Sequence, residues 1–295
     1  MPLAAGVGCH LARLVCVSRA WRNIIKGAYP RERVRWRSIL GAQLAGAGVN
    51  AIVPARGGDA VRVLLAKRSV PGSSIATLAS TLLLLTLFDS VIAGGLMLWA
   101  LAAGVLPGTN VLRRLPSFDF GWVLEDPGTA LVVFGLALLV VLMLVLWFAE
   151  SLIGLRARIA QGFAILRDKG VYLRRVASWQ TIDWLLRLVA VFWFLNAFGL
   201  PATLYNAVLV QVTSSLAGLI PLSPSGIGTE QALLLYTFAG KAARSVVLSF
   251  SVGMRVTLIA FNALLGFSAI LVMLRTLHWR QHVEADRDAV AEHSP

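Results

Sequence analysis

The chain has 295 residues, of which 58% are hydrophobic and 14% charged, with a mean hydropathy of +0.77. A soluble domain carries about 25% charged residues, so an ordinary soluble fold is excluded. The net charge of +13 does not point to nucleic acid either: the basic residues sit between apolar runs, as the positive-inside rule requires, and no nucleic-acid-binding motif accompanies them.

Residues 1–17 are weakly apolar and contain His10 and Arg13. They read as the second half of a transmembrane helix, which implies a first helix that is truncated or lost. From Arg13 to Arg37 there are eight basic residues and one acid, Glu32. This stretch, with a linker at 19–37, reads as a cytoplasmic flank facing anionic lipid, at about 1 kcal/mol per basic residue near the surface. Residues 38–53 are apolar and rich in small side chains, and are broken by Pro54-Ala-Arg-Gly-Gly-Asp59. As a helix they would be roughly 24 Å long, too short to span comfortably, so the segment is expected to enter from the cytoplasm and turn back.

Residues 75–106 form a span with Asp89 as their one ionisable residue, and 107–128 a loop. Residues 129–149 are 21 residues without a charge, enough to cross a hydrocarbon core of about 30 Å. Residues 150–175 are polar with an apolar face (Leu152, Leu155, Ile159, Phe163, Leu166), the pattern of an interfacial amphipathic helix. Residues 176–198 make a span carrying Asp183 and Arg187, whose i,i+4 spacing with the acid first favours mutual neutralisation. A short apolar run at 203–220 is broken by Pro221-Leu-Ser-Pro-Ser-Gly-Ile-Gly228. A second short run at 229–239 and a long final helix at 243–274 follow. The polar residues 276–295 form a frayed tail behind a single membrane domain at 1–275.

Loop charge sets the orientation. Residues 150–175 carry six basic and two acidic residues and go inside; 107–128 carry two basic and three acidic and go outside. Arg275 and Arg280 keep the C-terminus cytoplasmic. These assignments agree if 203–239 begins and ends outside, as a re-entrant pair or as two short crossings.

The two breaks share a plan: an apolar run stopped by Pro54 or Pro221, glycines (Gly57 and Gly58; Gly226 and Gly228), then an acid, Asp59 or Glu230, opening the next helix. Such paired interruptions are the sequence pointer to a transporter-like inverted repeat. Arg56 and Arg62 flank the first turn, and a guanidinium fork suits phosphate oxygens. Arg255 lies about three turns into the last helix, where a charge usually faces an interior cavity; Asp59, Asp89 and Glu230 are its candidate counter-ions or proton gates. Cys9 and Cys16 define neither a disulfide framework nor a metal site, and the four histidines lie near the termini. No metal and no cofactor is expected. Ser225-Gly226 has no histidine in the later spans to serve as base, so no enzyme is expected.

At these breaks the sequence resembles the transmembrane region of lysylphosphatidylglycerol synthases, the flippase-like family. The matching residues are Asn50-Ala-Ile-Val-Pro54-Ala-Arg56-Gly-Gly58-Asp59-Ala-Val-Arg62 and Pro221-Leu-Ser-Pro224-Ser-Gly226-Ile-Gly228-Thr-Glu230, with Asp89, Gly240 and Arg255 falling where that pattern places an acid, a glycine and an arginine. Ser225 stands where the family tends to have a glycine, and Leu85-Thr86 where a Glu-Arg pair often precedes the acid. The resemblance covers roughly residues 18–275. It implies an all-α polytopic transmembrane bundle with two broken or re-entrant segments. The implied function is a translocase for an anionic phospholipid or polyprenyl-phosphate-linked lipid in the inner (cytoplasmic) membrane. Asn50, Arg56, Asp59, Arg62, Asp89, Glu230 and Arg255 would be its binding residues, and Pro54, Gly57, Gly58, Pro221, Pro224, Gly226 and Gly228 its turns. The alternative is a non-transporting partner of a glycosyltransferase or lipid synthase. A homodimer is compatible with either.

Overall fold

The computed structural model describes residues 1–53, 57–103, 152–219 and 228–292. The expected span at 129–149, the loop at 107–128, and Pro54, Arg56, Pro221, Pro224 and Gly226 lie outside the described residues. Every regular element among the described residues is helical: the fold is an all-α bundle. Among the described residues, three helices have stretches long and apolar enough to cross a membrane, Pro2–Ala28, Ile75–Ala100 and Arg244–Met273.

The first helix, α1 (Pro2–Ala28), extends well beyond residue 17 and is itself long and apolar enough to cross a membrane. Its buried residues Gly6, His10, Leu14, Ser18, Trp21, Ile25 and Ala28 recur every three or four positions. That period is one face of a helix, and it runs past Arg19 and Arg22. The expected linker therefore begins only after Ala28.

Helix α2 (Trp36–Ile52) and α3 (Gly57–Ser69) fold back on one another as a hairpin. Its outer ends are held near the C-terminal half of α1: the Trp36 indole N–H donates to Ser18 Oγ at 2.9 Å, and the Tyr29 hydroxyl accepts the Ser74 N–H at 2.9 Å. Helix α4 (Ile75–Ala102) follows.

The segment expected as one amphipathic helix is broken. Helix α5 (Leu152–Gly162) ends where Gly162 packs on Ser80 and Thr77 too closely for a Cβ. A 3-10 turn (Ala164–Arg167) buries Ile165, and the Asp168 carboxylate then accepts the Val171 N–H at 2.9 Å to start a new turn, Lys169–Tyr172. The expected face is split accordingly, with Ile159 and Leu166 exposed.

A π segment (Leu173–Ala177) runs into α6 (Ser178–Ala197), which packs along α1. Helices α7 (Leu204–Leu219) and α8 (Thr229–Thr237) form a second hairpin. Its outer ends meet at the end of the bundle opposite Ala28, where Lys241 lies over the Tyr205 ring at 5.5 Å. The long α9 (Arg244–Glu292) closes the fold; the tail expected to fray stays helical to Glu292.

Two apolar clusters cap the ends. One gathers Trp21, Ile24, Ile25, Ile39, Leu78 and Val176; the other gathers Phe194, Leu195, Val210, Leu234, Phe238 and Phe250. Between them α2 and α9 touch backbone to backbone: a Cβ on Gly48 would stand 2.6 Å from the Gly266 Cα. Side chains here would force the helices apart, and overpacking typically costs about 1–3 kcal/mol. Gly48→Leu is therefore expected to lower the thermal unfolding midpoint in detergent, whereas Gly8→Leu, where a Cβ meets nothing within 4 Å, leaves it near wild type.

Candidate functional site

The polar residues between the apolar clusters are brought together by the two hairpins. In the first, Gly58 approaches the Gly46 carbonyl so closely that a Cβ would collide with it. That proximity lets Asn50, in the last turn of α2, reach α3. Its Oδ1 accepts the Gly58 N–H at 2.7 Å, and its Nδ2 donates to Asp59 Oδ1 at 3.3 Å. Arg62 donates to the same Asp59 oxygen at 3.1 Å. Asn50 thus satisfies a first-turn N–H that the helix cannot and orients the carboxylate that holds Arg62. Asn50→Ala leaves the Gly58 N–H unpaired and Asp59 held by Arg62 without the amide, a loss of about 1–3 kcal/mol; the expected outcome is a lower melting midpoint together with faster hydrogen exchange in 57–62.

A second network crosses three helices. Asp183 on α6, 1% exposed, accepts from Arg13 of α1 at 3.0 Å and from Arg187 of its own helix at 3.1 Å. Arg187 also lies 3.9 Å from Asp89 of α4, and the Trp184 indole N–H donates to Asp89 at 2.9 Å. The Arg187 guanidinium stacks over the Trp184 ring at 4.4 Å. Nearby, His10 Nε2 and Asn262 Oδ1 are 2.9 Å apart and join α1 to α9.

In the second hairpin, Gly228 has φ 92°, a conformation that favours glycine. The Gln231 side chain caps the Gly228 N–H at 2.7 Å. This start of α8 presents Glu230, which accepts from Ser214 of α7 at 2.6 Å and from Arg255 of α9 at 2.8 Å. Gly240, φ 75°, makes the turn after α8.

These groups surround one polar hollow with three adjoining lobes of about 540, 340 and 280 Å³. The largest is lined by Asn50, Asp59 and Arg62 from the first hairpin, by Ser214 and Ser215 from the second, and by Asp89, Trp184 and Arg187 between them. Arg13, Arg255 and Glu230 line the third lobe. The residues flanking the two breaks therefore meet at one cavity from opposite ends of the bundle. The exterior is reversed in polarity: Val91, Leu98, Leu264 and Phe267 are exposed, while the four arginine side chains are only 18–22% exposed. Arginine inward and leucine outward is the arrangement of a protein whose solvent is lipid.

Of the residues expected to bind, Asn50, Asp59, Arg62, Asp89, Glu230 and Arg255 come together; Arg56 lies outside the described residues. The counter-ion of Arg255 is Glu230, and Asp89 is turned instead to Trp184 and Arg187. Asp183 and Arg187 pair as expected but take in Arg13, which the sequence places in the basic flank. His10, Arg13, Trp184, Ser214 and Asn262 are cavity residues that sequence reasoning missed. The available signal was polar side chains on the buried stripe of α1, since polar residues inside apolar helices face interiors.

Residues 2–266 match the profile of the lysylphosphatidylglycerol synthase TM region. The match takes in most of the chain, which belongs to this family and is an integral membrane protein related to lipid metabolism or transport. No curated protein and no solved structure matches it.

Proposed function

We propose that this member of the family is a multi-pass lipid translocase of the cytoplasmic membrane, moving an anionic phospholipid or a polyprenyl-phosphate-linked lipid. The observation that carries the reading is the single polar hollow lined from opposite ends by the flanks of both breaks. In a bilayer the hairpins would be re-entrant, related as an inverted repeat, with the head group held between them near the midplane. The end bearing Arg22, Lys26, Arg68, Arg174 and Arg175 would face the cytoplasm, and α9, running toward that end, would leave its C-terminus there.

The charges of the hollow suggest how it works. Arg13, Arg62, Arg187 and Arg255 are matched by Asp59, Asp89, Asp183 and Glu230. A phosphate must therefore displace a carboxylate to gain an arginine. Asp59 and Asp89, 37% and 41% exposed at the side chain, are the open ones; Asp183, at 2%, is fixed. The carboxylates stand in for phosphate when the site is empty and keep buried arginines from going unpaired. His10 pairs with Asn262, and a lining of paired arginines and carboxylates suits transport without covalent chemistry.

A docking scaffold for a glycosyltransferase or lipid synthase would not need a charged interior, so the hollow favours translocation. The test is reconstitution into vesicles carrying a fluorescent phosphatidylglycerol, with an impermeant reductant added outside. Protein-dependent loss of inner-leaflet fluorescence is expected; rates equal to protein-free vesicles overturn the reading.

A further inference from the structure

A second group of cations lies outside the hollow, at the junction of α1 and α2. The Arg22 Nε–H donates to the Val34 carbonyl at 3.3 Å, and Lys26 Nζ donates to the carbonyls of Pro30 and Glu32 at 2.8 and 3.0 Å. These bonds fix the course of residues 29–35 and close a pocket of about 420 Å³, lined by Arg22, Lys26, Arg33, Arg35, Trp36 and Arg37 around the buried Val34. No acid lines it. Glu32 sits beside Gly72, with its carboxylate 3.7 Å from where a Cβ would stand. The side chains of Arg33, Arg35 and Arg37 are exposed and bond no described residue. Trp36 is held by Ser18 and covered by the Arg19 guanidinium at 3.8 Å. Trp36 opens α2 as a half-buried tryptophan beside arginines, against the C-terminal half of α1, a helix of crossing length, and such a tryptophan marks head-group depth.

We infer that this pocket binds the phosphate of an anionic phospholipid lying at the membrane surface, a lipid that is held and not transported. Three free guanidinium forks converging on a prebuilt pocket suit phosphate oxygens. A basic pocket between helices on the basic side is where lipid head groups of this charge are recognised. The pocket is separate from the hollow: Arg22 is nine residues beyond Arg13 on α1, roughly 14 Å along the helix axis. The inference does not depend on translocation, and a protein that moves no lipid would still hold this one.

The test is native mass spectrometry of the full chain, delipidated in mild detergent and titrated with phosphatidylglycerol or phosphatidylcholine. Wild type is expected to retain phosphatidylglycerol over phosphatidylcholine. Arg33→Gln/Arg35→Gln/Arg37→Gln is expected to weaken phosphatidylglycerol retention at least tenfold. The control Arg156→Gln/Arg158→Gln/Arg167→Gln removes equal charge from exposed sites elsewhere on the chain and is expected to weaken it far less. Equal losses in the two triple variants would show a diffuse charge effect and overturn the pocket, as would equal retention of the two lipids by wild type. Displacement of phosphatidylglycerol by an oligonucleotide would also overturn it.

Discussion

Arg255→Gln combined with Glu230→Gln is expected to slow phosphatidylglycerol translocation in vesicles about ten- to a hundredfold while leaving the protein folded. The double change matters. Arg255→Gln alone would strand Glu230, 14% exposed at its side chain, and a broken buried pair costs about 3–5 kcal/mol, so lost activity would be confounded with lost structure. Two amides keep a neutral hydrogen bond, and Ser214 keeps its acceptor. What disappears is a charged donor for phosphate, worth about 1.5–3 kcal/mol; at 1.36 kcal/mol per tenfold this gives the stated range. Monodisperse elution and a near-wild-type melting midpoint check the fold. A translocation rate indistinguishable from wild type would remove Arg255 from the mechanism.

The largest loss of stability is expected from Asp183→Asn. Asp183 is the buried hub at which α1 and α6 are tied, and one carboxylate serves two arginines there. Removing its charge leaves Arg13 and Arg187 sharing a neutral amide, at about 3–5 kcal/mol. Thermal unfolding in detergent is the measurement, with Asp168→Asn as comparison: that carboxylate is exposed and caps a single N–H, so its loss is expected to move the midpoint little. Similar midpoints for the two variants would show that the three-helix network is not what joins α1 to α6.

Much of the fold was legible because apolar run length and Pro/Gly punctuation are local signals. They located both breaks and the helices around them, and the acid at the start of each second arm, Asp59 and Glu230, identified side chains that do reach the hollow. Three things escaped. The extent of α1 was hidden by Arg19 and Arg22, whose charges mask a buried stripe read only in register with α6. The division of 150–175 depends on Gly162 meeting Ser80, a contact 82 residues distant in sequence that no periodicity encodes. The pairing of charges also depends on geometry: Asp59, Asp89 and Glu230 are all candidate partners for Arg255 in the sequence, and only the meeting of α8 with α9 selects Glu230.

The glycine contact between α2 and α9 has a mechanical consequence. Near Gly266 the last helix is fused to the first hairpin along bare backbone, with no side chains to slide on. Three turns earlier, the same helix meets the second hairpin through the Arg255–Glu230 ion pair, beside the apolar packing of Phe250 with Leu234 and Phe238. The first hairpin and α9 would therefore travel as a single plate, and any rocking of the second hairpin against that plate would begin by opening the ion pair and shearing the apolar contacts beside it.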